Sequence, residues 1–472
     1  MFSKLQKDFV HTQKVVFVIT FPQKGSRMDR RVVVTGLGPV SSIGIGKNAF
    51  WESAREGKGY YRNIDFQDVE IEQYRSRICS PIDNFSLSEY FEKPKRLSKA
   101  ARSTQFSVLG TFLALKDAGF KLTLEKNKES SHTDKYYVEG IDPTKCGVII
   151  GQSAGNYDVL FSNHIRFLEG RGPKKMNPFT LPQSNPNVGA TSTAEWFFLR
   201  STCFTVSTAC SSATHAIGMA FANIRSGIDD MIISGGTDAT IIPYYFAGFD
   251  IIKALSRRND EPQKGSRPFD RDRDGFVLGE GSGILVLEEL GHAEKRGAKI
   301  YGELIGSGFS ADAFNIVAPD PTGESAMNAI KKAMNMAKIS PQEVEYINAH
   351  GTSTILNDST ESYIIKQVYG DYAYRIPISS SKSYFGHPLG ASGGLESIVT
   401  LLIMENGVIA PTNNLENPDV DYVDKSASDL DKRCDLDYVP NLPREKDVSI
   451  AVNESFGFGG QNGVLIFNKF EQ

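Results

Sequence analysis

Short β-branched runs alternate with helical patterns along most of this chain, and that alternation constrains the fold more than any other feature. The strand-like runs are 31–35, 147–150, 203–206, 231–234, 284–287, 344–347, 378–380 and 449–452. Between them lie segments with helical spacing of apolar residues, for example 325–337 and 361–368. This order indicates an α/β protein. A charged segment, 288–299, marks a predicted boundary between two halves, although no strict sequence repeat is visible.

Size and charge narrow the classes of protein that remain. A chain of 472 residues with 40% hydrophobic content can bury a large core, as two domains or two fused halves. The net charge of −4 argues against a general nucleic-acid binder. No apolar stretch approaches the roughly 20 residues that span a bilayer. Five cysteines at unrelated spacings make no disulfide framework, which favours a reducing compartment.

Cys210 lies where a β-prone run, 203–206, gives way to a helical pattern, 211–224. A cysteine in the first turn of a helix meets unpaired backbone N–H groups and the positive end of the helix dipole. Both favour the thiolate, which is the nucleophilic form. A buried structural cysteine is nevertheless the commoner fate of a free thiol. Two histidine motifs downstream favour the catalytic interpretation.

Each of these histidines follows a probable strand and lies among glycine, serine and threonine. His350 belongs to Asn-Ala-His-Gly-Thr-Ser-Thr at 348–354, and His387 to Lys-Ser-Tyr-Phe-Gly-His-Pro at 382–388. Strand ends are where α/β sheets place functional side chains, and one cysteine with separated histidines is a general signature of covalent catalysis. No Cys or His pairs have metal-ligand spacing. The other histidines are interpreted as surface or packing residues: His11, His132, His164, His215 and His292.

Together these motifs resemble the β-ketoacyl-acyl-carrier-protein synthases of the synthase I/II type, the condensing enzymes of dissociated fatty acid synthesis, and closest to synthase II. The resemblance runs from about residue 28 to residue 470 and includes further motifs at 31–38, 266–270, 273–276, 279–281 and 455–460. It implies a thiolase-like α/β fold of two similar halves in five layers, α-β-α-β-α, and a homodimer. The expected parts are an extension at 1–27, an N-terminal half at 28–287 with the nucleophilic cysteine, and a C-terminal half at 288–472 with the catalytic histidines.

The resemblance also implies a decarboxylative condensation. Cys210 would take an acyl group from acyl carrier protein, and malonyl-carrier protein would then lose CO2 and attack the acyl-enzyme. The backbone N–H groups of Cys210 and Phe458 would bind the oxyanion, and His350 and His387 would stabilise the enolate. Phe458 is either a gate at the nucleophile or a packed aromatic. No intrinsic cofactor is expected, because the substrates ride on the 4'-phosphopantetheine of the carrier.

Further residues take roles from the same resemblance. Lys382 either pairs with Asp358 or Glu361, which match acidic positions of the family, or belongs to a buried charge network that orients the histidines. Thr352 and Thr354 match threonines that contact the phosphopantetheine arm, although bare threonines are more often structural.

The acyl pocket and a cation site are also implied. Ala154, in the loop 151–156, is smaller than the residue usual at its position, so the preferred acyl length stays open. Asn348, Glu396 and Asn453 mark a possible structural site for a monovalent cation, and Glu454 stands where a small or neutral polar residue is usual.

Since carrier proteins are acidic, a basic docking face is expected. Lys95, Arg96, Lys99 and Arg102 recur at helical spacing and form a candidate patch, although an ordinary solvated helix face has the same pattern.

Residues 1–27 carry five basic residues against one acid, Asp8, with an apolar patch at 15–19. This composition favours an organelle-targeting leader. A plastid or apicoplast-like stroma is the first expectation and the mitochondrial matrix the second; a cytoplasmic location follows if the segment is not a signal. Two polar insertions, 125–134 and 421–432, are interpreted as solvated surface loops. Their composition is weakly typical of a relict-plastid lineage.

Several alternatives share the cysteine. A thiolase needs a second catalytic cysteine, and Cys434 lies in an acidic rather than a glycine-rich loop. Initiating and chalcone-synthase-like enzymes use Cys-His-Asn, whereas the Lys382–His387 spacing favours Cys-His-His. A polyketide ketosynthase stays open. A non-catalytic chain-length-factor-like partner usually lacks the cysteine that is present here. A cysteine hydrolase would pass the acyl group to water instead of a carbanion.

Overall fold

The computed structural model describes residues 30–67, 69–83, 85–92, 94–125, 135–425, 427 and 429–471. The predicted leader and most of the insertion 125–134 lie outside these residues. The helices are α1 Lys47–Arg55, α2 Arg102–Asp117, α3 Tyr157–Glu169, α4 Thr180–Ser184, α5 Val188–Phe197, α6 Ser212–Arg225, α7 Pro243–Ile251, α8 Leu290–Lys295, α9 Glu324–Ala337, α10 Ile355–Tyr369, α11 Lys382–Phe385 and α12 Ser392–Asn406. The strands are β1 Val32–Ser41, β2 Gly44–Ile45, β3 Arg62–Asn63, β4 Ile78–Ser80, β5 Leu122–Leu124, β6 Tyr136–Val138, β7 Cys146–Gly151, β8 Cys203–Val206, β9 Met231–Ala239, β10 Leu278–Glu289, β11 Gly302–Ala311, β12 Tyr346–Asn348, β13 Ile378–Ser379, β14 Val408–Ile409, β15 Arg444–Glu445, β16 Ile450–Gly457 and β17 Gln461–Asn468.

Two five-stranded units with the same topology form the sheet. The first has the order β8-β7-β9-β10-β1, and the second has the order β13-β12-β16-β17-β11. In each unit the first three strands run parallel to one another. The fourth strand is antiparallel to the third, and the fifth is antiparallel to the fourth. The units also use their strands in the same chain order and join edge to edge through β1 and β11. The expectation of two similar halves is therefore confirmed, although no sequence repeat reveals it.

Helices complete five layers. The helices α6 and α12 occupy equivalent places in the two units, and both contact strands of both units. The pair α2 and α5 contacts the strands of the first unit, while α9 packs on the second unit with α10 beside it. The order is thus helix, sheet, helix, sheet, helix, as expected.

The central layer is dry and tightly packed. In α12 every residue from Ser392 to Met404 is buried, as for a helix that is apolar or small on all sides. A Cβ on Gly393 would lie 2.1 Å from Thr214 Oγ1, and one on Gly394 would lie 2.2 Å from the Gly283 carbonyl oxygen. These glycines let α12 approach α6 and β10 closely, which fixes the N-terminal ends of both central helices next to each other.

The described part of 421–432 is a surface loop as predicted, but two of its charged side chains are buried. Lys432 is buried, and its Nζ lies 2.6 Å from Asp424 Oδ2, which is also buried. Charged groups are buried in pairs because an unpaired charge is costly to desolvate. The segment is therefore anchored to the core. Among the described residues, no helix is both long and apolar enough to cross a membrane.

Candidate active site

Two equivalent loops converge at the ends of the central helices. Ala209–Ser211 forms a 3-10 turn between β8 and α6, with Ala209 in the left-handed region at φ 51°. Leu389–Ala391 forms the matching turn between β13 and α12, with Leu389 at φ 45°. Left-handed backbone is uncommon outside glycine and often marks functional turns. The first turn carries Cys210, and His387 lies just before the second.

The structure brings the three predicted catalytic side chains together. Ligand-type atoms of Cys210, His350 and His387 all lie within 4.8 Å of one another, and all three residues are buried. His350 enters from the end of β12, and its ring centroid is 5.5 Å from that of His387 at an interplanar angle of 85°. Such a trio also resembles a metal-ligand set, but the Lys382 ammonium against His350 adds a positive charge that disfavours a cation.

Lys382 determines which nitrogen of His350 carries the proton. Its Nζ lies 3.2 Å from His350 Nδ1 and 2.6 Å from the His350 carbonyl oxygen. An ammonium only donates hydrogen bonds, so Nδ1 accepts and the His350 proton is on Nε2. Lys382 forms its ion pair with Glu396 of α12. Of the two alternatives for Lys382, the pair with Asp358 or Glu361 is not formed, and the contacts with Glu396 and His350 fit the buried charge network that orients the histidines.

Those two carboxyls instead hold the loop that follows β12. Glu361 accepts the backbone N–H groups of His350 at 2.6 Å and Gly351 at 2.8 Å. Asp358 accepts the Ser353 N–H at 3.1 Å. Burial raises the pKa of both carboxyls. Both carboxyls lie on α10, so this helix helps to place the loop that carries His350.

The environment of Cys210 favours the neutral thiol. Burial raises the pKa of Cys210 to about 11, although the Lys382 charge and the Phe458 backbone N–H act in the opposite direction. Burial thus outweighs the helix-end stabilisation of a thiolate that the sequence suggests, and attack requires a base. His387 fits this role, because its Nδ1 is 2.9 Å from Ser392 Oγ and its Nε2 is the nitrogen left to meet Cys210.

Both catalytic histidines are expected to stay neutral at physiological pH. Burial, followed by the Lys382 charge, lowers the pKa of His350 and of His387 well below the usual value. The folded protein therefore binds fewer protons at these rings than the unfolded chain does as pH falls through about 6.5.

NMR of histidine-labelled protein checks this expectation. The His350 and His387 resonances, assigned by comparison with single His→Gln variants, are predicted to show no titration between pH 8 and 6. The same labels in urea-unfolded protein serve as the control, with a midpoint near 6.5. A folded-state midpoint in that range for either ring would contradict the assignment of neutral imidazoles.

Phe458 follows the end of β16, and its backbone reaches the nucleophile. Its N–H points at the Cys210 sulfur. A Cβ on Gly457 would lie 3.0 Å from the Thr208 carbonyl oxygen and 3.1 Å from the Cys210 nitrogen, so a side chain at this position would crowd the nucleophile turn. The predicted oxyanion donors thus face the same space. The Phe458 side chain is partly buried, with its ring 6.2 Å from that of Phe249.

The predicted phosphopantetheine-contacting residues lie next to His350. The hydroxyl oxygens of Thr352 and Thr354 are 2.8 Å apart, and Thr352 is the more buried of the two. Their role toward the arm stays a prediction.

Asp238 is a site residue that the sequence analysis missed. It lies inside β9 and is buried, and its Oδ2 accepts from Ser153 N (3.0 Å), Ser153 Oγ (2.6 Å) and Gly390 N (2.7 Å). Its Oδ1 accepts from the Ala154 N–H at 3.3 Å. One carboxyl therefore ties the predicted acyl-pocket loop to the turn beside His387. The only sequence signal for this role of Asp238 was a single aspartate within an otherwise uncharged strand.

We predict that Asp238→Asn destabilises the protein by about 1–3 kcal/mol. The asparagine NH2 group would face N–H donors at a place where a carboxylate oxygen of Asp238 accepts their hydrogen bonds. The change also frees Ala154, so the dependence of kcat/KM on acyl length should shift. Urea unfolding and a series of acyl-carrier proteins measure the two effects. Ser153→Ala, which removes a single O–H donor, is the matched control. Unchanged stability together with an unchanged length profile in Asp238→Asn would contradict this role.

The residues proposed for a monovalent cation lie side by side. Asn348 and Asn453 are paired across β12 and β16, and Asn348 Nδ2 is 3.3 Å from the Glu396 carbonyl oxygen. Among the described residues, Glu396 Oε2 and Asn453 Oδ1 have no hydrogen-bond partner. The Lys382 ammonium already neutralises the Glu396 carboxylate, so the cation site stays a prediction. Asn348 Oδ1 already accepts from Ser381, so that residue's part stays a prediction.

The predicted docking patch is only partly correct in its geometry. Lys95, Arg96 and Lys99 are exposed, but 97–99 is a 3-10 turn, and α2 begins separately at Arg102. Arg102 is half-buried, donates to Glu280 at 2.7 Å and stacks on Phe106, so its charge is already paired. Arg96 pairs with Glu195 at 2.9 Å.

Comparison with known proteins agrees with this geometry. The profile of the β-ketoacyl synthase N-terminal domain matches residues 29–293, and that of the C-terminal domain matches residues 301–416. A curated relative, 3-oxoacyl-[acyl-carrier-protein] synthase 2 of Synechocystis sp., is 39% identical over 94% of this chain and 99% of its own length. The chain belongs to the β-ketoacyl synthase family.

Solved structures show the same similarity. A β-ketoacyl synthase from Burkholderia phymatum is 32% identical with a TM-score of 0.80, covering 94% of this chain and all of its own. A type II polyketide ketosynthase, solved in complex with its acyl-carrier protein and bound to the hexaketide, is 31% identical with a TM-score of 0.80 and the same coverage.

Proposed function

We propose that this chain condenses an acyl group with a malonyl unit, both presented on acyl carrier protein, to give 3-oxoacyl-carrier protein, CO2 and free carrier. The observation that carries the proposal is the buried convergence of Cys210, His350 and His387 within 4.8 Å. Relatives of this chain named 3-oxoacyl-[acyl-carrier-protein] synthase 2 support a role in fatty acid elongation.

In the first half-reaction, Cys210 Sγ attacks the thioester carbon of acyl-carrier protein. The thiol proton passes to His387 Nε2 and then to the departing pantetheine sulfur, as the carbon–sulfur bond to the carrier breaks. Fixed backbone donors stabilise the developing oxyanion more than water does, because they need no reorganisation. The Cys210 and Phe458 N–H groups take this part.

In the second half-reaction, malonyl-carrier protein loses CO2, and the electron pair of the broken bond becomes an enolate. The Nε2–H of His350, fixed by Lys382, donates to the enolate oxygen. The enolate carbon then attacks the acyl-Cys210 carbonyl. The thiolate leaves and takes a proton from solution, so one proton is consumed per CO2 released.

Initial-rate kinetics test this two-step scheme. Varying acyl-carrier protein at several fixed malonyl-carrier protein concentrations is expected to give parallel double-reciprocal lines, the pattern of a covalent ping-pong mechanism. Intersecting lines would show that both carriers must bind before any covalent step, which contradicts an acyl-Cys210 intermediate.

Carrier docking is proposed at the exposed cations of 95–99. Lys95 and Lys99 have exposed side chains that an acidic carrier surface complements. The paired change Lys95→Glu and Lys99→Glu should raise KM for the carrier without changing kcat. An unchanged KM at low salt places docking elsewhere.

A homodimer is proposed through β8. Among the described residues, this strand is the last in the order of the sheet and its outer edge has no partner strand, and Cys203 at its start is exposed. Pairing of two β8 edges would continue the sheet across a twofold axis. Sedimentation equilibrium should give twice the mass of the chain, and a monomer at micromolar concentration would contradict this.

An import role for residues 1–27 is proposed, with a plastid-type stroma as the destination. Its basic, acid-poor composition supports this. A fluorescent protein fused to residues 1–27 should enter the organelle, and the same fusion with its basic residues changed to Gln should not. Diffuse cytoplasmic fluorescence of the first fusion would overturn the proposal.

A further inference from the structure

His215 connects the two loops that surround the nucleophile. It lies in α6, five residues after Cys210, and is buried. Its Nδ1 is 2.7 Å from Thr208 Oγ1, and its Nε2 is 3.0 Å from the Asn462 carbonyl oxygen. Neither partner is a catalytic group, and the sequence around His215 shows no motif of its own.

The chemistry of the two partners fixes the state of the ring. A carbonyl oxygen only accepts hydrogen bonds, so Nε2 carries the proton. Nδ1 then accepts from the Thr208 hydroxyl. Burial lowers the pKa of His215, which is consistent with a neutral ring that makes both bonds. Each nitrogen therefore has one defined partner.

Each partner belongs to a loop that supplies one oxyanion donor. Thr208 begins the nucleophile turn, and its carbonyl oxygen accepts the Ser211 N–H at 3.2 Å. Asn462 pairs with Phe456 across the hairpin of β16 and β17, whose turn carries Phe458. The two loops come from opposite halves of the chain, so a single imidazole spans the gap between them.

The surroundings of the ring leave little freedom. The Phe309 ring stands edge-on at 4.4 Å, and a Cβ on Gly463 would lie 3.1 Å from His215 Cδ2. A neighbouring bond, Thr214 Oγ1 to Ser455 Oγ at 2.7 Å, fixes the middle of β16 to α6 but does not touch the turn.

We propose that His215 is a positioning residue that fixes the spacing of the Cys210 and Phe458 backbone N–H groups in the oxyanion hole. The inference rests on the proposed acyl-transfer function. It assigns a role in the formation of the tetrahedral intermediate and none in the reactivity of the Cys210 sulfur itself.

Two reactions of Cys210 separate these roles. Transfer from acyl-carrier protein passes through an oxyanion, whereas alkylation by iodoacetamide displaces iodide at carbon and forms none. His215→Phe keeps an aromatic ring but makes neither hydrogen bond. It should slow acylation of Cys210 by about 10–100-fold, since a small misplacement of a donor is costly, while alkylation changes by less than about twofold. Intact mass against time measures both rates.

Graded variants keep the test decisive. His215→Gln keeps a polar group on the Asn462 side only, and His215→Asn keeps one on the Thr208 side only, so both should acylate more slowly than wild type while alkylation stays near the wild-type rate. His164→Gln, at an exposed histidine on α3, is the matched control. If His215→Phe fails to fold, as seen in a lost unfolding transition, the comparison of these two variants with wild type carries the test.

Equal rates of acylation in wild type and His215→Phe, or equal losses in acylation and alkylation, would overturn the positioning role. A wild-type acylation rate in His215→Gln or in His215→Asn would also overturn it. Wild-type protein that is alkylated but never acylated would instead refute the proposed function, so the two failures are distinguishable.

Discussion

Replacing Cys210 by alanine is expected to abolish formation of the 3-oxoacyl product, with a loss of at least about 1,000-fold in kcat/KM. The variant has no acceptor for the acyl group, so no acyl-enzyme can form. His350 and His387 remain in place, and decarboxylation of malonyl-carrier protein should persist without condensation. Measuring CO2 release and 3-oxoacyl product in the same reaction separates the two activities.

The matched control is Cys203→Ala, which removes an exposed thiol on β8 and leaves the nucleophile turn intact. It should condense at close to the wild-type rate. A Cys210→Ala protein that still elongates acyl groups would place the nucleophile elsewhere. An equally inactive Cys203→Ala protein that is still a dimer would show that the loss is not specific to Cys210.

Lys382→Met is the second change with a large expected effect. It leaves the Glu396 carboxyl buried without its cation and removes the donor that fixes His350 Nδ1. Breaking a buried pair by removing one partner destabilises a protein by about 3–5 kcal/mol. We expect a loss of that size in urea unfolding, together with loss of condensation, because His350 can then adopt either tautomer.

The double variant Lys382→Met with Glu396→Gln separates these two effects. Removing both charges should recover much of the stability, whereas condensation should stay low since the Nδ1 donor is still missing. Full activity in either variant would show that Lys382 does not orient His350. An additive loss of stability in the double variant would show that the pair is not coupled.

Sequence patterns located the strands that are rich in β-branched residues and overlooked those rich in glycine. The run 203–206 coincides with β8, and 231–234 lies within β9. The strands β11 and β17 were not predicted, because Gly306, Gly308 and Gly463 interrupt their patterns. A Cβ on Gly308 would lie 2.0 Å from the Ala329 carbonyl oxygen. These glycines allow a helix to pack closely on the strand. That requirement comes from tertiary packing and is not visible in the local sequence pattern.

The functional site likewise contains residues that local sequence motifs identify and residues that they do not. Cys210, His350 and His387 stand in local motifs at strand ends, and the fold brings them together. The partner of Lys382 could not be chosen from the sequence. Asp358, Glu361 and Glu396 are all acidic, and the sequence does not show which of them lies next to Lys382 in the fold. Only the position of α12 against α11 selects Glu396. His215 and Asp238 were missed for a related reason: several of their partners are backbone groups far away in the sequence, which leave no pattern in the neighbouring residues.

The central claim is that an acyl group moves from a carrier to Cys210 and then to a malonyl-derived carbanion. The most direct test is intact-mass analysis of enzyme and carriers after mixing long-chain acyl-carrier protein with the protein, before and after malonyl-carrier protein is added. We expect an acyl adduct on Cys210 in the first sample. In the second sample we expect that this adduct is lost and that the carrier bears a 3-oxoacyl chain two carbons longer. An adduct that is released as free acid, or a longer chain without any adduct, would contradict it.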